Sequence, residues 1–107
     1  MRYLMTTDAN GSVPDEKLFA EMGAFIEELT ASGVLLATGG LDPATIVITS
    51  AGEDISVTDG PFAEAKEAVA GFALVEVRSQ EEAIELARRF RRIVGDGRSR
   101  LQQVFTG

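Results

Sequence analysis

Two stretches of this chain repeat apolar residues at helical spacing, and each is bracketed by short runs suited to β-strands. In the first, Leu18, Met22, Phe25 and Leu29 recur at intervals of four, three and four, with Phe19 and Ile26 widening the stripe. That pattern predicts an amphipathic helix with one face turned to a core. Ser12 and Pro14 announce its start, and Gly33 can take the left-handed conformation that closes a helix. In the second, Ala83, Ala87, Phe90 and Val94, with Leu86 and Ile93 beside them, supply the apolar face. Ser79 and Glu82 stand there in capping-box spacing, in which each side chain can bond the other residue's backbone N–H. Gly95-Asp96-Gly97 ends this helix.

The segments around the helices read as strands. Residues 3–7 form a β-compatible run that stops at the turn-forming Asp8-Ala9-Asn10-Gly11. Val34-Leu35-Leu36-Ala37 is a buried strand expected to break at Gly39-Gly40, after which Leu41-Asp42-Pro43 turns the chain. The β-branched run 45–49, the turn 50–54 and the alternating segment 55–58 predict a β-hairpin, ended by Asp59-Gly60-Pro61-Phe62 because Pro61 has no N–H for a ladder. Residues 63–69 suggest a helical turn or short helix, Gly71 leads into a strand over 72–77, and residues 101–105 suit a last strand.

Strand, helix, strand with an inserted hairpin, strand, helix, strand is the βαββαβ order of a ferredoxin-like α+β sandwich, in which two helices cover one face of an antiparallel sheet. The 107 residues, 45% of them hydrophobic, suit a single domain over 1–107 with a core of its own. Phe72, Leu74 and Glu76 share one side of their strand, and Ala73, Val75 and Val77 the other. Both sides therefore carry apolar residues, and a homodimer whose sheets pack face to face is the expected cover for the second.

The chain has no cysteine and no histidine. Disulfides, thiolate metal sites, Cys nucleophiles, His-dependent triads and imidazole zinc sites are excluded together, leaving carboxylates, lysine, tyrosine and hydroxyls for acid–base work. A net charge of −7 opposes binding to phosphate backbones or anionic lipid, so neither nucleic acid nor membrane is an expected partner. The charge is uneven: residues 1–70 carry −9, whereas residues 71–107 carry +2. All seven bases of the second part are arginines, with Arg88, Arg89, Arg91 and Arg92 close together. Their place near a helix C-terminus, with Glu85 three and four residues before Arg88 and Arg89, reads as a self-satisfied surface. No apolar stretch approaches the roughly 20 residues of a membrane span, and no signal-peptide pattern opens the chain, so a soluble cytoplasmic protein is expected. Neither Gly-rich nucleotide motif occurs, the pairs Glu27/Glu28 and Glu53/Asp54 lack any metal-loop spacing, and no cofactor or metal is expected.

Candidate site residues gather in one segment. Asp59, Gly60, Pro61, Phe62 and Lys66 place a carboxylate, a flexible and a rigid residue, an aromatic ring and an amine within eight positions, where a loop can present them together. The same residues also suit a plain turn with Phe62 as a core anchor. Asp42, just after Gly39-Gly40-Leu41, sits where small residues allow a ligand to approach the backbone, and equally where an Asp-Pro turn is expected.

The run from Val57 through Asp59-Gly60-Pro61-Phe62-Ala63-Glu64-Ala65-Lys66-Glu67, followed by Gly71-Phe72-Ala73-Leu74-Val75-Glu76-Val77, resembles the signature of DGPF-type proteins of the YCII-related superfamily. The likeness extends to Glu28-Leu29, Ser32-Gly33-Val34-Leu35, Gly40-Leu41 and Glu81-Glu82-Ala83-Ile84. It implies a dimeric α+β barrel built on a ferredoxin-like protomer, with a cleft near the DGPF loop. Most members have no established activity; the small-molecule chemistry ascribed to some relatives rests on a His/Asp pair, and this chain, having no histidine, keeps only the acid, at Asp42. Leu101-Gln102-Gln103 also departs from the Arg-Pro ending common among members.

Two functions follow as expectations. The first is a homodimeric small-molecule-binding domain, with room for enzymatic activity that does without a His base, whose pocket uses Asp42, Asp59, Gly60, Pro61, Phe62 and Lys66. The second is a non-catalytic interaction module for an extracytoplasmic-function sigma factor, suggested by the gene neighbourhoods that the resemblance implies and by the arginine-bearing helix.

Overall fold

The expected order of elements is present in a computed structural model that describes residues 1–9, 15–59 and 69–105. β1 (Arg2–Asp8), α1 (Glu16–Ala31) and β2 (Leu35–Gly40) are followed by the hairpin β3 (Ile46–Ala51) and β4 (Asp54–Asp59). β5 (Val69–Glu76), α2 (Gln80–Val94) and β6 (Ser99–Val104) complete the chain. The main sheet has the order β2-β5-β1-β6 with every neighbouring pair antiparallel, and β3 pairs with β4 in a sheet of two. This is the split βαβ arrangement of the ferredoxin-like fold with a hairpin inserted after β2. No helix among the described residues is long and apolar enough to cross a membrane.

The register divides the sheet into two faces. Tyr3 lies opposite Val75 and Met5 opposite Ala73 on β5, and Met5 lies opposite Leu101 on β6. Alternation places these residues toward the helices, while Leu4, Phe72 and Leu74 point away. Tyr3, Val75, Val77 and Ala83 form the buried cluster, with Val34, Leu35, Leu86 and Leu101 packed on it, and Phe25 and Leu29 are buried from α1. The stripe read from residues 18–29 is thus core-facing at Phe25 and Leu29, whereas Phe19 is 67% exposed.

Helix ends follow their side chains. Asp15 caps α1 by accepting from the Leu18 N–H at 2.8 Å, and Gly33, with φ 77, turns the chain out of the helix. At α2 only half of the expected capping box forms. Ser79 Oγ accepts from the Glu82 N–H at 3.2 Å, but the Glu82 carboxylate accepts from the Arg78 N–H at 3.3 Å.

Three boundaries differ from expectation. β2 does not break at the glycines: Gly39 and Gly40 stay in the ladder opposite Phe72 and Gly71, because the partner strand supplies the hydrogen bonds that local propensity would forgo. Val69, assigned to a helical turn from its neighbours, already belongs to β5, opposite Asp8. β6 begins two residues earlier than expected and ends at Val104, leaving Phe105 88% exposed. Gly60, Pro61, Phe62 and Lys66, and the turn expected over 63–68, lie outside the described residues.

The hairpin stands apart from this core. Gly52, with φ 62, and Glu53 form a two-residue loop of the II′ kind that suits the twist of paired strands. Every residue of β3 and β4 is exposed. The radius of gyration is 16.0 Å, against about 13 Å for a compact chain of 100 residues.

Replacing Ser79 by alanine removes the cap that α2 does form and should cost about 1 kcal/mol. For a chain of this size that lowers Tm by roughly 4–8 °C. Thermal unfolding followed by circular dichroism measures it, and an unchanged Tm would mean that packing alone holds the start of α2.

Candidate functional site

Side-chain bulk decreases along the helix-facing side of the sheet. One row holds Leu35, Val75 and Tyr3, the next Thr38, Ala73, Met5 and Leu101, and the last Gly40, Gly71, Thr7 and Ser99. A β-bulge between Leu35 and Ala37 is what puts Thr38 and Gly40 in these rows, since it switches the alternation of β2. The helices do not follow the retreating surface, and a cavity of about 190 Å³ remains between them and the sheet. Met22, Phe25, Ile26 and Leu29 line it from α1, and Leu86, Ala87 and Phe90 from α2. The sheet contributes Met5, Leu35, Ala73 and Val75, and the polar functions of the wall are the Thr38 hydroxyl and the backbone at Gly39 and Gly71. Thr38 Oγ1 donates to the Phe72 carbonyl at 2.8 Å.

The glycines are constrained sterically. A Cβ on Gly71 would stand 3.2 Å from the Gly39 carbonyl oxygen, and one on Gly39 would meet the Phe72 ring at 3.1 Å. Both contacts are tighter than ordinary van der Waals packing, so a side chain at either position would require its neighbour to give by a few tenths of an ångström.

The candidate carboxylates lie elsewhere. Neither Asp42 nor Asp59 lines the cavity. Asp42 accepts from the Ala44 N–H at 2.9 Å, the Asx turn that an Asp-Pro step favours, and it is exposed. Asp59 is the exposed last residue of β4. The Leu41 N–H donates to the Ala70 carbonyl at 2.9 Å, which joins the Asp42 turn to the entry of β5. The Asp42 turn and the start of β5 thus meet at the glycine end of the sheet.

The carboxylate with the most distinctive surroundings is one that sequence reasoning treated only as part of a turn. Asp8 is buried at the end of β1 and accepts from Arg98 Nε at 2.9 Å and from Arg100 at 2.7 Å. These hydrogen bonds, from Arg98 first and then Arg100, hold its carboxyl below the usual carboxylate range against the opposing effect of burial. Glu28 is lowered in the same way by Arg89, which binds both of its oxygens at 2.8 and 3.0 Å and lies 4.8 Å from the centre of the Phe25 ring. The arginine run is accordingly engaged: Arg88 with Glu85, Arg89 with Glu28, and Arg91 with Ser99 Oγ and the Gly95 carbonyl. Among the described residues no group of three carboxylates is placed to hold a metal ion.

Both lowered carboxyls have the same consequence for stability. Their folded-state pKa values lie below the unfolded ones, so the stability they add is fully present above about pH 4–5 and is lost as pH falls through the folded values. In Asp8→Asn the unfolding midpoint should be lower than that of the parent at pH 7, and the two should converge in acid. Urea denaturation across pH 2.5–7 reads this out, and parallel curves would show that the two arginines do not depend on the Asp8 charge.

Comparison with known proteins gives this geometry its relatives. An uncharacterized protein of Rhizobium meliloti (strain 1021) is 39% identical over 85 residues, spanning 77% of this chain and 68% of that protein. The solved structure of 5-chloro-2-hydroxyhydroquinone dehydrochlorinase from Burkholderia phenoliruptrix AC1100, in complex with 2,5-dihydroxybenzoquinone, superposes with a TM-score of 0.52 at 14% identity, covering 100% of this chain and 96% of that one. That likeness concerns the fold. The YCII-related domain matches residues 1–98, and the chain belongs to the YCII-related family.

Proposed function

We propose that this chain is a homodimeric small-molecule-binding protein whose ligand places a compact ring in the cavity between the helices and the sheet. The observation that carries the reading is the cavity itself. At about 190 Å³ it is somewhat larger than the engineered cavities of about 150 Å³ that take up benzene, and its wall is almost wholly apolar. A monocyclic aromatic or quinonoid compound with one or two hydroxyls fits both the volume and the few polar functions at Thr38, Gly39 and Gly71. The fold relative solved with 2,5-dihydroxybenzoquinone supports that substrate class by analogy of fold alone.

In this reading Asp42, Asp59, Gly60, Pro61, Phe62 and Lys66 supply the polar side of the site, with the DGPF segment leading into β5, whose Gly71 and Ala73 line the cavity. Any acid–base step falls to Asp42, Asp59 or Lys66, since the chain has no histidine. Support for the dimer comes from the sheet face opposite the helices. Leu4, Phe72, Leu74 and Val104 are only partly covered there, and the exposed Arg2, Glu76, Arg100 and Gln102 surround them. The competing reading, a sigma-factor module, rests on the arginine-bearing helix α2 alone, where Arg88 pairs with Glu85 and Arg89 with Glu28.

Ala73→Leu tests the cavity by filling it. The variant should keep its fold by circular dichroism and lose at least about tenfold in affinity for phenol and for 2,5-dihydroxybenzoquinone, a loss of roughly 1.4 kcal/mol or more, measured by calorimetry. Equal binding by parent and variant would place the ligand outside the cavity, and no binding of either probe by the parent would overturn the ring-compound reading.

A further inference from the structure

The β3–β4 hairpin has the makings of an arm. Its register sets Ile46 beside Asp59, Ile48 beside Val57 and Ser50 beside Ile55 on one face. On that face Ile46, Ile48, Ile55 and Val57 are 65, 67, 70 and 67% exposed. The other face carries Val47 with the hydroxyls of Thr49, Ser56 and Thr58. A two-stranded hairpin is marginally stable alone in water, and a contiguous apolar face of this kind marks a surface that another one covers. The segment 41–59 also contains Asp42, Glu53, Asp54 and Asp59 and no basic residue.

A surface of complementary character lies elsewhere on the chain. Between α2 and the edge strand β6 runs a groove of about 630 Å³, with Ile84, Ala87 and Leu101 on its apolar floor and Arg88, Arg92 and Arg98 along it. Its charge is opposite to that of the arm, and its floor offers the apolar contact that the arm's face lacks. The partners Arg88 and Arg98 now have, Glu85 and Asp8, leave both guanidinium groups exposed, 60% and 66%, and able to share a second carboxylate.

We propose that the hairpin of one copy seats Ile46, Ile48, Ile55 and Val57 in the α2–β6 groove of a second copy, with the carboxylates of its turn, Glu53 and Asp54, near the arginines. A two-fold axis makes the exchange reciprocal, so one complementary pair of surfaces is used twice. The complementarity is built into a single sequence: the segment 41–59 carries four carboxylates and no base, and the groove is lined by Arg88, Arg91, Arg92 and Arg98, so a second copy of this chain supplies the occupant that the groove fits. The inference rests on the homodimer reading above and adds to it the surfaces that meet.

The absence of cysteine makes the contact directly testable. Ile48→Cys and Ile84→Cys each introduce the sole thiol of their chain. After the two purified variants are mixed, allowed to exchange subunits and mildly oxidised, a covalent dimer should form in the mixture and far less in either variant alone. Native mass spectrometry of the parent and of each variant checks that dimers are present throughout. Efficient cross-linking of Ile48→Cys alone would show hairpins packed on each other and overturn the proposal. Dimers without cross-linking in the mixture would overturn it while leaving the homodimer reading intact. A monomeric parent would overturn both.

Discussion

The register that pairs Tyr3 with Val75 and Met5 with Ala73 sets a gradient of side-chain size beneath the helices, from Leu35, Val75 and Tyr3 at one end to Gly40, Gly71 and Thr7 at the other. Where the rows are bulky the helices rest on them, and Tyr3, Val75 and Ala83 are buried together. Where the rows are small, the helices span a void that their own side chains do not fill. The space is partly open to solvent, and a ligand that fills it in the folded chain would stabilise that state by mass action.

Charged contacts operate around this void rather than within it. Arg89 grips both oxygens of Glu28 and lies over Phe25, joining the two helices beside the cavity they roof. Exposed ion pairs of this kind contribute little to stability, about 0–1 kcal/mol, so their larger effect is on how the helices sit. Asp8 differs because it is buried and hydrogen-bonded by two arginines; removing one partner would leave the rest of the cluster poorly solvated. It joins the end of β1 to β6 at the same end of the sheet where the small residues lie.

The helices and the hairpin were legible because local pattern determines them: the stripe at Leu18, Met22, Phe25 and Leu29, the Ser79 cap, and the β-branched run before the turn at Gly52. The cavity was not, because the residues that line it are those that periodicity assigns to ordinary core. Met22, Phe25 and Phe90 look the same in sequence whether they fill a core or wall a pocket. What separates the two is the bulge between Leu35 and Ala37, which rotates Thr38 and Gly40 inward, and a bulge depends on the partner strand. Asp8 escaped notice for a similar reason, its two arginines standing some 90 residues away in sequence. The strand through Gly39 and Gly40 shows tertiary pairing overriding local propensity.

The two surfaces left open by the fold make different demands on what covers them. A cavity with one hydroxyl and some backbone as its polar functions selects by shape and apolar fit, and leaves the discrimination of hydroxyls to groups at its edge. In the proposed reading those groups belong to Asp42 and to the segment between Asp59 and Val69; the Asp42 turn is joined to the start of β5 at the backbone through Leu41 and Ala70. The same segment is one of the two connections that hold the hairpin to the sheet. Seating the arm on a second copy would restrain one end of the segment that carries the polar residues, while the cavity lies beside its other end. In that arrangement dimerisation and ligand binding draw on the same stretch of chain, and each would lower the conformational entropy that the other has to remove.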